Sequence, residues 1–236
     1  MTDRVGPRFP VYVTGDTASP RALVLLQEGF GVNDHIRGVA DRLTDSGFFV
    51  AAPHLYHRDG SPEVPYDDVQ QAVSLMGHLS EEGIRNDLDA ATDFLASVGY
   101  GAPSIGALGF CMGGSVAFYA ATRSTFGAAV SFYGGGITTS RMGLPPLLEL
   151  ASELRAPWLG LFGDLDSGIP VDDVEALRDA TSQLSVDTEI VRYPNANHGF
   201  HCDERPSVYN EEAAHDAIAR AVAFLTTHLE AKPAGD

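Results

Sequence analysis

From "RALVLLQ" (21–27) almost to the end of the chain, apolar runs of strand length alternate with stretches whose apolar residues recur at helical spacing. That alternation predicts an α/β protein with a mostly parallel, doubly wound sheet flanked by helices. Further strands are expected at "GFFVAAP" (47–53), "SIGALGF" (104–110), "GAAVSFYG" (127–134), "APWLGLFG" (156–163) and "TEIVRYP" (188–194). Each run is continuously apolar, as strands are when helices cover both faces of the sheet. "RFPVYVTG" (8–15) alternates instead and reads as an antiparallel edge strand. Helices are expected over 34–46, 84–98, 112–122, 171–183 and 211–229, all within one domain of 236 residues.

The rhythm breaks between Pro53 and Glu82, where prolines and glycines precede one weakly amphipathic helix. The excursion leaves from the carboxyl end of a strand, where ligand sites of α/β sheets lie. It forms either a lid or pocket wall, or an ordinary long connection. The last residues, 231–236, read as a frayed tail.

A formal charge of −17 disfavours nucleic acid and anionic membranes as partners, and it repels anionic substrates at long range. The first ten residues lack an apolar signal core, and no run reaches the length of a membrane span. Two cysteines, Cys111 and Cys202, form no spaced disulfide framework. These features point to a reducing, cytoplasmic setting, with the chain a monomer or homodimer.

"GFCMGG" (109–114) has the G-x-S-x-G frame of a strand-to-helix turn that presents a nucleophile, with cysteine in place of serine. An apolar strand precedes it and a helical stretch follows, so the context fits as well as the letters. At the helix N-terminus the thiolate of Cys111 would be stabilised, and the N–H of Met112 would face a developing oxyanion. The bland alternative is a buried structural cysteine. Downstream, in the order such a fold requires, come "LFGDLDSGIP" (161–170) with an acid and "YPNANHGF" (193–200) with His198 as base. Asp166 is preferred to Asp164 as the orienting acid because it lies nearer the loop tip. The other would cap the helix near Val171 or stay solvated.

With these residues in order, the chain resembles the dienelactone hydrolase family, cysteine hydrolases of the α/β-hydrolase fold. The resemblance rests on "LLQEGFGVN" (25–33), "VAAPHLYHR" (50–58), "GFCMGG" and "NANHGF" (195–200). It implies an ester or lactone hydrolase with a Cys111–His198–Asp166 triad, a thioester acyl-enzyme and no cofactor. It also implies that Glu28 helps take the proton of Cys111, whose free thiol has a pKa of about 8.5. A second oxyanion donor would be the N–H of Gly29.

The pattern departs from the family in one respect. Familiar members hold a substrate carboxylate with two arginines, one of them four residues after the catalytic histidine. Here that position is Cys202, and "YDDVQQAVSL" (66–75) holds no arginine. Arg58, Arg85 and Arg205 are near in sequence, but spacing assigns none of them to the pocket. The expected substrate is therefore an uncharged ester or lactone, bound among Phe30, Tyr56, Tyr133 and Phe200. Cys202 reads as an inert thiol, a second active-site thiol or a disulfide partner. No metal is expected, because zinc-like spacings around Cys202, His198 and His201 are absent. Competing readings are a non-catalytic small-molecule-binding protein of the same fold and a hydrolase of a thioester or C–C bond.

Overall fold

The computed structural model describes residues 2–5 and 10–233. Eight strands are joined in one sheet: β1 (Thr2–Val5), β2 (Pro10–Thr14), β3 (Arg21–Leu26), β4 (Phe48–Pro53), β5 (Ile105–Phe110), β6 (Ala128–Phe132), β7 (Trp158–Gly163) and β8 (Thr188–Tyr193). Their spatial order is β1-β2-β4-β3-β5-β6-β7-β8. β1 pairs antiparallel with β2 and β2 with β4, and every later pairing is parallel. The helices are α1 (Asp34–Asp45), α2 (Val69–Gly77), α3 (Glu81–Ser97), α4 (Met112–Ala121), α5 (Leu147–Leu150), α6 (Val171–Thr181) and α7 (Glu211–His228).

β4, β5, β6 and β7 are buried at every position, which explains why their sequences run apolar without alternation. Burying each such side chain contributes roughly 1.5–3 kcal/mol, and these runs pin the register of the sheet centre. Side chains cap the starts of α1, α2, α3 and α7. Asn33 accepts from the N–H of Ile36 at 3.2 Å, and Ser80 from that of Gly83 at 3.1 Å. The Ser80 cap starts α3 at Glu81, three residues before the periodicity suggested, and each cap contributes about 1 kcal/mol.

The order of connection reverses at β3: the chain passes from β3 to β4 on one side, then returns to β5 on the other. A crevice at the carboxyl ends of β3 and β5 follows from that reversal. Glu28 leaves the first strand and Cys111 the second. This arrangement, with Cys111 on the tight strand-to-helix turn after β5, is that of the α/β-hydrolase fold.

The excursion contains a short 3-10 turn (His57–Asp59) and α2, several of whose residues line the crevice. Within the expected tail, the N–H of Lys232 donates to Pro20 O at 2.7 Å, and its ammonium lies 4.2 Å from the Tyr100 ring centroid. Residues 234–236 of the expected tail, and Arg8 and Phe9 of the expected edge strand, lie outside the described residues. Among the described residues no helix is long and apolar enough to cross a membrane.

Candidate active site

Cys111 joins β5 to α4 with φ 54° and ψ −119°, a conformation that costs a non-glycine residue about 1–3 kcal/mol. Its neighbours make the turn possible. A Cβ on Gly109 would sit 2.0 Å from the Gly113 carbonyl oxygen, and one on Gly113 would sit 2.3 Å from the Leu26 carbonyl oxygen. Only glycine fits at either place. The N–H of Cys111 donates to Phe132 O at 3.0 Å, tying the turn to β6. The thiol side chain is half-buried and opens onto a cavity of about 580 Å³.

The loops after β7 and β8 bring two further groups to that cavity. His198 Nδ1 bonds Asp166 Oδ2 at 2.6 Å, and Asp166 Oδ1 accepts from the N–H of Gly168 at 2.8 Å. Burial opposes protonation of His198. The charge of the Cys111 sulfur, then the hydrogen bonds to Asp166 and Cys111, outweigh it and raise the imidazole well above its ordinary value. Because Nδ1 is engaged by Asp166, Nε2 is the nitrogen left for a further partner. Cys111, His198 and Asp166 all line the one cavity. Asp164, the rejected candidate, neither caps α6 nor stays free: Arg192 holds both its oxygens, at 2.7 and 2.8 Å.

Gly29 and Met112 line the cavity on either side of Cys111. The N–H of Met112 opens α4 and has no acceptor within the helix. Glu28 also lines the cavity although only 2% exposed. Its Oε1 accepts from the Tyr133 hydroxyl at 2.9 Å, and its Oε2 has no partner among the described residues.

Of the four aromatic residues expected around the substrate, Phe30 alone lines the cavity. The other three stand behind it, drawn there by polar partners or packing. Tyr56 donates to Gly29 O at 3.2 Å and to Met112 Sδ at 3.1 Å, bracing both sides of the crevice. Tyr133, with φ 40°, bonds Glu28, and its ring centroid lies 5.1 Å from that of His198. Burial, then the charge of Glu28, pushes its hydroxyl well above the ordinary tyrosine value. Phe200 packs on Tyr133 and Tyr193, with both ring centroids 5.2 Å away.

The arginines also differ from expectation. Arg58 is committed to Asp87 by two contacts of 2.8 Å, and Arg85 does not reach the cavity. Arg205 does, with its guanidinium 5.4 Å from the Phe30 centroid and 5.7 Å from that of Tyr66. Arg141, which sequence reasoning missed altogether, lines the same cavity from the loop after β6. In a chain with 32 acidic residues, neither arginine has a carboxylate partner among the described residues, whereas Arg37, Arg58, Arg178, Arg192 and Arg220 all do. Of the three arginines that spacing left unassigned, Arg205 is thus the one at the cavity, and Arg141 joins it.

Cys202 is buried and donates to the Tyr66 hydroxyl at 3.4 Å. Burial, then the charge of Glu28, pushes its thiol up to about 12, which disfavours the thiolate, and both cysteines are free. His201 is pushed down to about 3 by burial, then by His35. Among the described residues no three His, Cys, Asp or Glu side chains gather as a metal site.

The pattern of the dienelactone hydrolase family matches residues 9–229. The chain belongs to the dienelactone hydrolase family. A Yersinia pestis relative provisionally named carboxymethylenebutenolidase is 33% identical over 94% of this chain and 85% of its own length. A Methylorubrum extorquens protein of the same provisional name is 36% identical over 93% and 76%. The crystal structure of a provisionally assigned dienelactone hydrolase from Klebsiella pneumoniae superposes with a TM-score of 0.83 at 34% identity, covering 92% of each chain. As a member of the dienelactone hydrolase family, the protein is a hydrolase of ester or lactone bonds.

Proposed function

We propose that the protein cleaves a small ester or lactone through a thioester on Cys111. The observation that carries this reading is the bonded pair His198–Asp166 lining the same cavity as Cys111. The site favours the thiol proton residing on His198, and the sulfur attacks the carbonyl carbon. The carbonyl oxygen becomes an oxyanion held by the N–H groups of Gly29 and Met112. Collapse breaks the ester C–O bond, and His198 returns its proton to the leaving alkoxide. A water deprotonated by His198 then hydrolyses the thioester, releasing a carboxylic acid and the thiol. The unpartnered Oε2 of Glu28 supplies the second proton acceptor that the family resemblance implies, and Tyr133 fixes its position. With both thiols free, the reducing cytoplasm remains the compartment we infer.

Arg141 and Arg205 turn the substrate reading from an uncharged molecule to one with an anionic substituent. Leaving a carboxylate unpaired in such a cavity would cost on the order of several kcal/mol, and a guanidinium removes that cost. The provisional name of the relatives describes a lactone bearing a carboxymethylene group, in keeping with such a substituent. The test compares kcat/KM for a carboxylated dienelactone, a neutral lactone and p-nitrophenyl acetate, with mass spectrometry of a quenched reaction. We expect an acyl adduct on Cys111 and a preference of at least about tenfold for the carboxylated lactone. An unmodified Cys111 during turnover would overturn the mechanism, and equal rates on the two lactones would overturn the anionic substituent.

A further inference from the structure

Among the described residues three large apolar side chains are prominently exposed: Val69 (54%), Val73 (57%) and Leu165 (57%). Two of the three lie one turn apart on α2, on the side that lines the active-site cavity. Ala72 and Met76 line it too, and the spacing i, i+3, i+4, i+7 sets all four on one stripe. The stripe grades from buried Ala72 through half-buried Met76 to the two exposed valines, like a wall running from floor to rim.

This wall continues into the reacting centre. Met76 Sδ and Cε lie 3.5 and 3.6 Å from where a Cβ on Gly29 would be, and the Ala72 Cβ lies 3.7 Å from it. α2 is therefore packed over a residue of the proposed oxyanion hole. His198, which must face the leaving oxygen, comes instead from the loop after β8. α2 and the His198 loop line one cavity, so an acyl substituent of a bound ester has the α2 stripe within its reach. A cavity of about 580 Å³ also exceeds what a single small lactone ring fills, and lies in the range of roughly 300–1,000 Å³ typical of larger ligands.

We propose that α2 seats an apolar acyl substituent, so that the preferred substrates are esters or lactones whose acyl part carries a medium-length chain or a ring. The stripe from Met76 to Val69 is about 10 Å long at the helical rise, enough for an extended chain of roughly eight carbons. The inference rests on the reading of Cys111 as nucleophile and deepens it with a specificity determinant.

The test uses p-nitrophenyl acetate, butyrate and hexanoate with the wild-type protein, Val69→Thr/Val73→Thr, Val73→Asp and Cys111→Ala. For the wild type, kcat/KM is expected to rise about tenfold from acetate to hexanoate. The double threonine variant should reduce that ratio to about threefold, and Val73→Asp should bring it near one. Both valines are exposed, so these changes leave the core intact. A flat chain-length series in the wild type, or the same ratio in all three chains, would overturn the proposal. So would a change of oligomeric state in the variants with the ratio unaltered, since α2 would then be a contact between copies. Survival of acetate turnover in Cys111→Ala refutes the nucleophile separately, whatever the chain-length ratio.

Discussion

Two groups of residues wall the cavity, and they are built differently. In the first, the side chains proposed to do chemistry, from the loops after β3, β5, β7 and β8, are held by fixed partners: Asp166 by Gly168 and His198, Glu28 by Tyr133. In the second, α2 presents an exposed apolar stripe, and Arg141 and Arg205, from the loops after β6 and β8, line the same space without carboxylate partners among the described residues. The first group has its geometry set before substrate arrives, as catalysis requires. The second leaves apolar surface and charge unsatisfied until something binds. The difference separates what makes the bond-breaking step possible from what selects the molecule.

The comparison breaks most directly at Cys111. Replacing it with alanine should lower kcat for p-nitrophenyl acetate by about 10⁴-fold or more, since members of a triad act as one unit. Asp166→Asn follows, with an expected loss of about 10³-fold through the wrong imidazole tautomer. Asp164→Asn, two residues away, should keep activity within about threefold and cost at most about 1 kcal/mol in denaturant unfolding, because Arg192 holds it in a half-exposed ion pair. In the second group, Arg205→Gln and Arg141→Gln should each raise KM for a carboxylated substrate about tenfold while leaving neutral esters nearly unaffected. A general fall in kcat instead would erase the distinction between the groups.

Smaller effects sharpen the same contrast. Tyr133→Phe removes a hydroxyl that touches Glu28 and not the cavity, so the expected change is a loss of about threefold in kcat with KM preserved. The protonation of His198 gives a second check. The charge of the Cys111 sulfur favours the imidazolium, so Cys111→Ser should lower the imidazole pKa, read by NMR titration of the ring protons. In the wild type the ring should remain charged well above the ordinary histidine range. An unchanged or raised value in the serine variant would dissolve the pair.

The preorganised group was the legible one. Buried strands gave continuous apolar runs, and Gly109 and Gly113 marked the turn at Cys111 because no side chain fits there. His198 and Asp166 were found from their loops and their order. The excursion could be suspected as a pocket wall because it leaves from a strand end. The two arginines were harder because they reach the cavity from loops, which have no sequence period. Arg141 lies in a loop whose glycines, Gly135 and Gly136, let its side chain pack against the backbone. Tyr56, Tyr133 and Phe200 looked like pocket residues because aromatic character does not say on which side of a catalytic group a ring stands. Hydrogen bonds from Tyr56 to Gly29 and from Tyr133 to Glu28 decide it.

The close approach of Gly109 to Gly113, and of Gly113 to Leu26, also constrains how such an enzyme can change. β3, β5 and α4 meet as a joint without clearance, so the position of the thiol is inherited from the packing of three backbones rather than from side-chain contacts. The identity of the nucleophile can therefore be exchanged at residue 111 without rebuilding the joint, whereas a single methyl at 109 or 113 would displace the oxyanion donors together with the sulfur. Libraries seeking new reactions in this scaffold can vary Cys111 and the second group freely, and should hold the two glycines constant.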